Sequence, residues 1–187
     1  MLTHVALLRG VNVGGRNKVA MADLRKVVES LGHANVATYI QSGNVVFTTN
    51  HTDTAAIAGE LERALAETLG RHSSVVVLAR AELATVIADN PFAEEANPKR
   101  VHVIFRGAEV GAEETAAVAA AARRASDKGG RDQAKVVGRA VYLHTPDGFG
   151  ASELAAQLTR VNPAVQDRGG TARNWATVTK LLAMLDA

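Results

Sequence analysis

Hydrophobic period switches repeatedly along this chain, and that rhythm leaves few folds open. Val5-Ala6-Leu7-Leu8 is a short strand-like run, after which Met21, Leu24, Val27, Val28 and Leu31 fall at helical spacing before Gly32. Val36 to Ile40 and Val45-Val46-Phe47 flank the polar tetrad Gln41-Ser42-Gly43-Asn44, which reads as a tight hairpin. Thr52 or Asp53 can cap a second helix with Ile57, Leu61, Leu65 and Leu69 inward, ending at Gly70, and Val75 to Leu78 is the next strand. The order β-α-β-β-α-β is the split βαβ, ferredoxin-like pattern.

The rhythm then restarts. A connecting helix (Leu83, Val86, Ile87) stops at Asn90-Pro91, and Phe92 to Lys99, around Glu94-Glu95, reads as the linker. Val101 to Phe105 is a strand, followed by an alanine-rich helix from about Glu113 to Ala125 and a charged loop from Ser126 to Asp132. Lys135-Val136-Val137 and Ala140 to Leu143 make a hairpin across Gly138-Arg139, a pair that suits a II′ turn. A helix around Leu154 and Leu158 ends before Asn162-Pro163, and Thr171-Ala172 is a short last strand before a terminal helix. The expected class is α+β, two ferredoxin-like (α/β-plait) units in tandem over 1–90 and 91–187; a single larger α+β domain is the rival.

Between the first strand and first helix lies Arg9-Gly10-Val11-Asn12-Val13-Gly14-Gly15-Arg16-Asn17-Lys18, with three glycines, two asparagines, three cations and no Asp or Glu. Glycine permits φ > 0 and close approach to the main chain, and exposed N–H groups beside cations suit a phosphate or carboxylate. The plain alternative is a long connection using glycine for geometry and charge for solubility. Gly43 and Asn44 suit a hairpin tip, whereas the turn does not require Gln41 and Ser42. In the C-terminal segment Trp175, Val178, Leu182 and Leu185 share one stripe and read as core, while Arg173, Thr177 and Lys180 sit at i, i+4 and i+7 as a polar stripe able to face an anion or solvent.

Other chemistry finds little support. The chain has no cysteine, so disulfides, thiol nucleophiles and Cys-type metal sites are excluded. Its six histidines lack metal spacing and read as surface or satisfied core residues. Asp23, Glu29, Asp53, Glu60 and Glu62 look like caps and solvated faces, Ser42 has no nucleophile elbow around it, and the glycine loop fits neither the P-loop nor the dinucleotide fingerprint. Only seven aromatics occur, which disfavours an RRM-type stacking platform but not phosphate contacts. A net charge of +2 is weak evidence for nucleic acid. Neither a signal peptide nor a spanning helix is read, and the expected setting is the cytoplasm, with no membrane partner.

The blocks RGVNVGGRNKV, Thr38 to Phe47 and TARNWATVTKLL together resemble domain-of-unknown-function family 1697, a widespread and mostly bacterial group of small cytoplasmic proteins. The resemblance implies two ferredoxin-like halves and places Arg9, Asn12, Gly14, Gly15, Lys18, Gln41, Ser42, Gly43, Asn44, Arg173, Asn174, Trp175 and Lys180 at motif positions. Pro146 to Leu154 is similar too, although Lys is expected where Glu153 stands, and Val161 to Gly170 looks longer than usual. The family supplies no catalytic role.

The reading that results is a binding module for a phosphate-containing anion, a nucleotide or a nucleic-acid backbone included. Its expected ligand-binding set is Arg9, Asn12, Gly14, Gly15, Arg16, Lys18, Gln41, Ser42, Asn44, Arg173, Asn174 and Lys180, with no cofactor and no metal. Two alternatives stand beside it. One is an enzyme that uses the same cations on a phosphoryl or acyl substrate; the other is an interaction scaffold that pairs sheet edges with a partner or a second copy.

Overall fold

The computed structural model describes residues 1–13, 17–160 and 170–187. They form two compact units, Met1–Thr85 with Lys180–Ala187, and Val86–Thr179. The class is α+β: two four-stranded antiparallel sheets with, among the described residues, six α-helices and one 3₁₀ turn.

The first unit runs β1 (His4–Leu8), α1 (Met21–Ser30), β2 (Ala34–Tyr39), β3 (Asn44–Thr48), α2 (Thr54–Leu69) and β4 (Val75–Ala79), with strand order β2-β3-β1-β4. Asp53 starts α2, its carboxylate accepting from the Ala55 and Ala56 N–H groups at 3.0 Å each. Ala6, Leu8, Val45, Phe47, Val75 and Val77 on one sheet face form a single core with Leu24, Val27 and Val28 of α1 and Ile57, Leu61 and Leu65 of α2. On the other face Val5, Leu7, Val46 and Leu78 are buried as well. Strands buried on both faces read as unbroken apolar runs rather than alternation, which is why β1 and β4 stand out so clearly in the sequence.

Helix α3 (Arg80–Ala88) follows β4 directly, and the unit boundary falls within it. The second unit continues with β5 (Val101–Phe105), α4 (Ala112–Asp127), β6 (Gln133–Val137), β7 (Ala140–His144), the 3₁₀ turn Phe149–Ala151, α5 (Glu153–Thr159), β8 (Thr171–Asn174) and the start of α6 (Trp175–Leu185). Its sheet has the order β6-β7-β5-β8. Ile104, Val141 and Leu143 pack with Val118 and Ala121 of α4 and Leu154 and Ala155 of α5. Tyr142 faces the other way, and its buried hydroxyl donates to the Val86 carbonyl at 2.8 Å. Strand β6 is an edge with alternating exposure, and Lys135 sits at its middle.

The start of the terminal helix differs from the sequence reading. The last strand runs on to Asn174, so α6 begins only at Trp175, which is half-buried rather than core. The helix around Leu154 ends at Thr159; Asn162-Pro163 lies outside the described residues.

Candidate functional site

At one end of the first sheet, two stretches that are distant in sequence are fastened together by one side chain. Asn12 takes φ +56 in the connection from β1 to α1. Its Nδ2 donates to the Val19 carbonyl at 2.9 Å and to the Gln41 carbonyl at 2.8 Å, and its Oδ1 accepts from the Val19 N–H at 2.9 Å. One carboxamide thus holds the descending limb of the loop and the β2–β3 turn. The ascending limb is held by Arg9, whose N–H donates to the Ser74 carbonyl at 2.9 Å and whose carbonyl accepts from the Ser73 hydroxyl at 2.8 Å. Ser73 and Ser74 were invisible as neighbours in the sequence, because a small polar residue before a strand carries no distinguishing pattern.

The β2–β3 turn comprises Ile40, Gln41, Ser42 and Gly43, since Tyr39 already pairs with Asn44. Asn44 is therefore the first residue of β3 and wholly buried, a correction to its reading as a tip residue with positive φ. Positive φ falls on Gly43 (+74), as its place at the tip requires, and on Ile40 (+49) in place of Asn44. Asn44 Nδ2 donates to the Tyr39 carbonyl and to the Ser42 hydroxyl oxygen, both at 3.0 Å, so it braces the turn from inside. Gly43 lies against the loop as well: a Cβ there would stand 2.8 Å from Leu8 Cβ, and its carbonyl accepts from the Leu8 N–H at 2.8 Å.

The loop and turn thus present Arg9, half-buried, with Lys18 and Gln41 exposed and Ser42 half-buried. Two exposed aliphatic side chains accompany them, Val13 at 63% and Ile40 at 51% exposure, and the sequence reading gave them no role. Ile40 looked like the last residue of a strand; its position in the turn depends on the Tyr39–Asn44 register, which a β-branched run does not reveal. Gly14, Gly15 and Arg16 of the expected set lie outside the described residues.

The C-terminal block is built differently from its reading as a helical stripe. Arg173 belongs to β8, two residues ahead of α6, so Arg173, Thr177 and Lys180 do not share a helix face. Arg173 and Thr177 are buried, and Lys180 is exposed. Arg173 Nη1 donates to the Thr171 hydroxyl at 2.6 Å and to the Ala172 carbonyl at 2.8 Å, and burial pushes its guanidinium down to about 10, still charged at neutral pH. Asn174 caps α6, its Oδ1 accepting from the Thr177 N–H at 2.8 Å. Arg173 and Asn174 belong to the second unit, Lys180 to the first.

The histidines are not all satisfied. His33 Nε2 and His102 Nδ1 are buried without a hydrogen-bond partner, against the reading of each histidine as a surface or satisfied core group. His33 lies 4.7 Å from Phe47 between ring centres, and burial, then the nearby His51, lowers its pKa below the usual range. His102 stacks on Phe149 at 4.0 Å, and burial pushes it down to about 4. Both rings are held neutral by desolvation. Among the described residues no three His, Asp or Glu side chains gather as a metal site, and no helix is long and apolar enough to cross a membrane.

Against known proteins, residues 1–142 match the family model "Protein of unknown function (DUF1697)". A solved structure, that of the conserved bacterial protein SP0830 from Streptococcus pneumoniae, is similar over 99% of each chain, with a TM-score of 0.71 and 25% sequence identity. No curated protein matches. The chain belongs to the DUF1697 family.

Proposed function

We propose that this member of the family binds a phosphate-bearing anion in the bacterial cytoplasm, at the end of the first sheet where the Arg9–Lys18 connection meets the Ile40–Gly43 turn. We also read its halves, 1–90 and 91–187, as ferredoxin-like units in tandem. Both sheets support that fold reading: each repeats the strand order of a split βαβ unit counted from the same edge.

The observation that carries the binding reading is the Asn12 staple. It anchors a ten-residue stretch with cations and no carboxylate to a turn that also has none. Arg9 and Lys18 supply charge, while Gln41 and Ser42 supply hydrogen-bonding groups. Asn12, Gly43 and Asn44 fix the geometry and act through those neighbours. Gly14, Gly15 and Arg16 join the site by sequence. Arg173 and Asn174 are committed to β8 and to the α6 cap, and this reading does not need them or Lys180.

The test is a thermal-shift titration with pyrophosphate at fixed salt on wild type, Arg9→Ala and Lys18→Ala. A ligand at a hundredfold its Kd stabilises by about 2.7 kcal/mol, which moves the midpoint of a chain this long by several degrees. A shift in wild type that shrinks in both variants supports the site. No shift at millimolar pyrophosphate, or equal shifts in all three proteins, rejects it.

A further inference from the structure

From the pairing of cations with outward-facing aliphatic side chains at this end of the sheet, we infer that the ligand is a nucleoside phosphate whose base face is unstacked, offered by a free nucleotide or a single strand. The inference rests on the phosphate site proposed above and adds the second half of the ligand.

Ile40 is the observation that demands explanation. A β-branched residue at φ +49 is a conformational outlier, because the left-handed region suits glycine or asparagine. The neighbouring turn position with positive φ is a glycine, and so is the one in the β6–β7 hairpin, Gly138. Burial does not account for isoleucine, since Ile40 is 51% exposed. A strained residue that holds an apolar side chain in water loses stability twice, through its backbone and through its missing burial. Such residues persist where something else covers them.

A second exposed aliphatic, Val13, is linked to the same turn through its chain neighbour. Asn12, whose Nδ2 reaches the Gln41 carbonyl at 2.8 Å, directly precedes Val13, and Gln41 directly follows Ile40. Val13 is 63% exposed. The staple therefore ties the stretch that carries Val13, between Arg9 and Lys18, to the turn that carries Ile40. Inorganic phosphate would use the cations and leave both aliphatics wet. A nucleobase is flat and apolar on its face and polar on its edge; Ile40 and Val13 fit the face, and Gln41 fits the edge. Duplex nucleic acid hides base faces in its stack, so it offers only the phosphate half.

Ile40→Asn separates the two halves of the ligand. Asparagine tolerates positive φ, so this variant unfolds at a higher temperature than wild type. Fluorescence anisotropy with a labelled single-stranded octanucleotide, with ATP, pyrophosphate and a blunt duplex as competitors, reads the binding. The expected result is roughly a fivefold weaker affinity of Ile40→Asn for the single strand, the equivalent of losing part of one buried aliphatic side chain. Pyrophosphate affinity stays unchanged. Lys18→Ala weakens every phosphate-bearing competitor and flattens the salt dependence. If ATP competes at concentrations comparable to the octanucleotide's, the source is a free nucleotide; if only the oligomer competes, it is a single strand.

Equal affinity of wild type and Ile40→Asn for the single strand overturns the inference. So does a duplex that binds as tightly as the single strand, or pyrophosphate binding without any nucleotide binding; the last two leave the phosphate site standing. No binding of any phosphate compound overturns both readings.

Discussion

The connection between the first strand and first helix is made twice in this molecule, with opposite solutions. In the second unit it spans six residues, Arg106–Gly111, between β5 and α4; in the first it spans twelve, 9–20, between β1 and α1. Each opens on an arginine. Arg106 is nearly buried, and its guanidinium meets the Glu114 carboxylate of α4 at 2.6 Å. The hairpin beside it closes onto the connection through main chain, Val110 N–H donating to the Gly138 carbonyl at 3.0 Å, and through Arg139 Nε donating to the Arg106 carbonyl at 3.0 Å. In the first unit the acid in the first turn of α1 is Asp23, which lies 3.9 Å from Lys26. There the hairpin is held by a neutral amide, Asn12. The short connection is what plain architecture requires at this position. The long one adds cations and an exposed aliphatic, Val13, beyond that requirement, and it is this excess on which the proposed binding role rests.

Substitutions at equivalent places should separate architecture from excess. The largest effect is expected at the hairpin glycines. Gly43→Ala introduces a Cβ 2.8 Å from Leu8 Cβ at φ +74 and should cost about 2–4 kcal/mol in urea unfolding. Gly138→Ala, at φ +57 with its nearest neighbour 3.7 Å away at a Glu109 carboxylate oxygen, should cost about 1 kcal/mol. Equal costs would mean that the first hairpin does not press on its loop. Next comes Asn12→Ala, which removes three hydrogen bonds and leaves alanine at positive φ; about 2–3 kcal/mol is expected, with pyrophosphate binding lost as well. Its counterpart Glu114→Ala strands the nearly buried Arg106 and should cost about 1–2 kcal/mol without touching binding.

A further effect is expected from pH, to which the first unit contributes His4 and His33 and the second His102. Burial lowers the folded pKa of all three, that of His102 to about 4, below the ordinary 6.5. The unfolded chain therefore takes up the proton first. Stability is full above about pH 6.5 and falls as the pH drops towards 4. His102→Phe keeps a ring against Phe149 and should flatten the part of this slope that belongs to the second unit. An unchanged slope between pH 6.5 and 4 would show that His102 is not the desolvated group.

Much of the fold was legible because several of its strands, such as β1, β4 and β7, are buried on both faces. Runs such as Val75-Val76-Val77-Leu78 have no competing reading, and Asp53 and Gly70 fall where the ends of α2 require a cap and a left-handed residue. The site was legible as a composition, not as a geometry. Gly43 and the loop cations stood out, but the sequence could not tell Asn12 the staple from Asn12 the ligand. Nor could it show that Asn44 opens a strand, because that depends on which residue of β2 pairs with it. Arg173 was misplaced for a related reason: a short edge strand running straight into a helix has no break, and helical spacing can be counted through the junction.

The most direct test of the binding account is an amide NMR titration of the whole protein with pyrophosphate. Arg9–Lys18 and Ile40–Gly43 should shift together and saturate along one curve, while Arg106–Gly111, Gly138 and Arg139 stay still. Shifts spread evenly over both connections, or confined to the second unit's cations, would contradict the account and leave the glycine-rich loop as architecture alone.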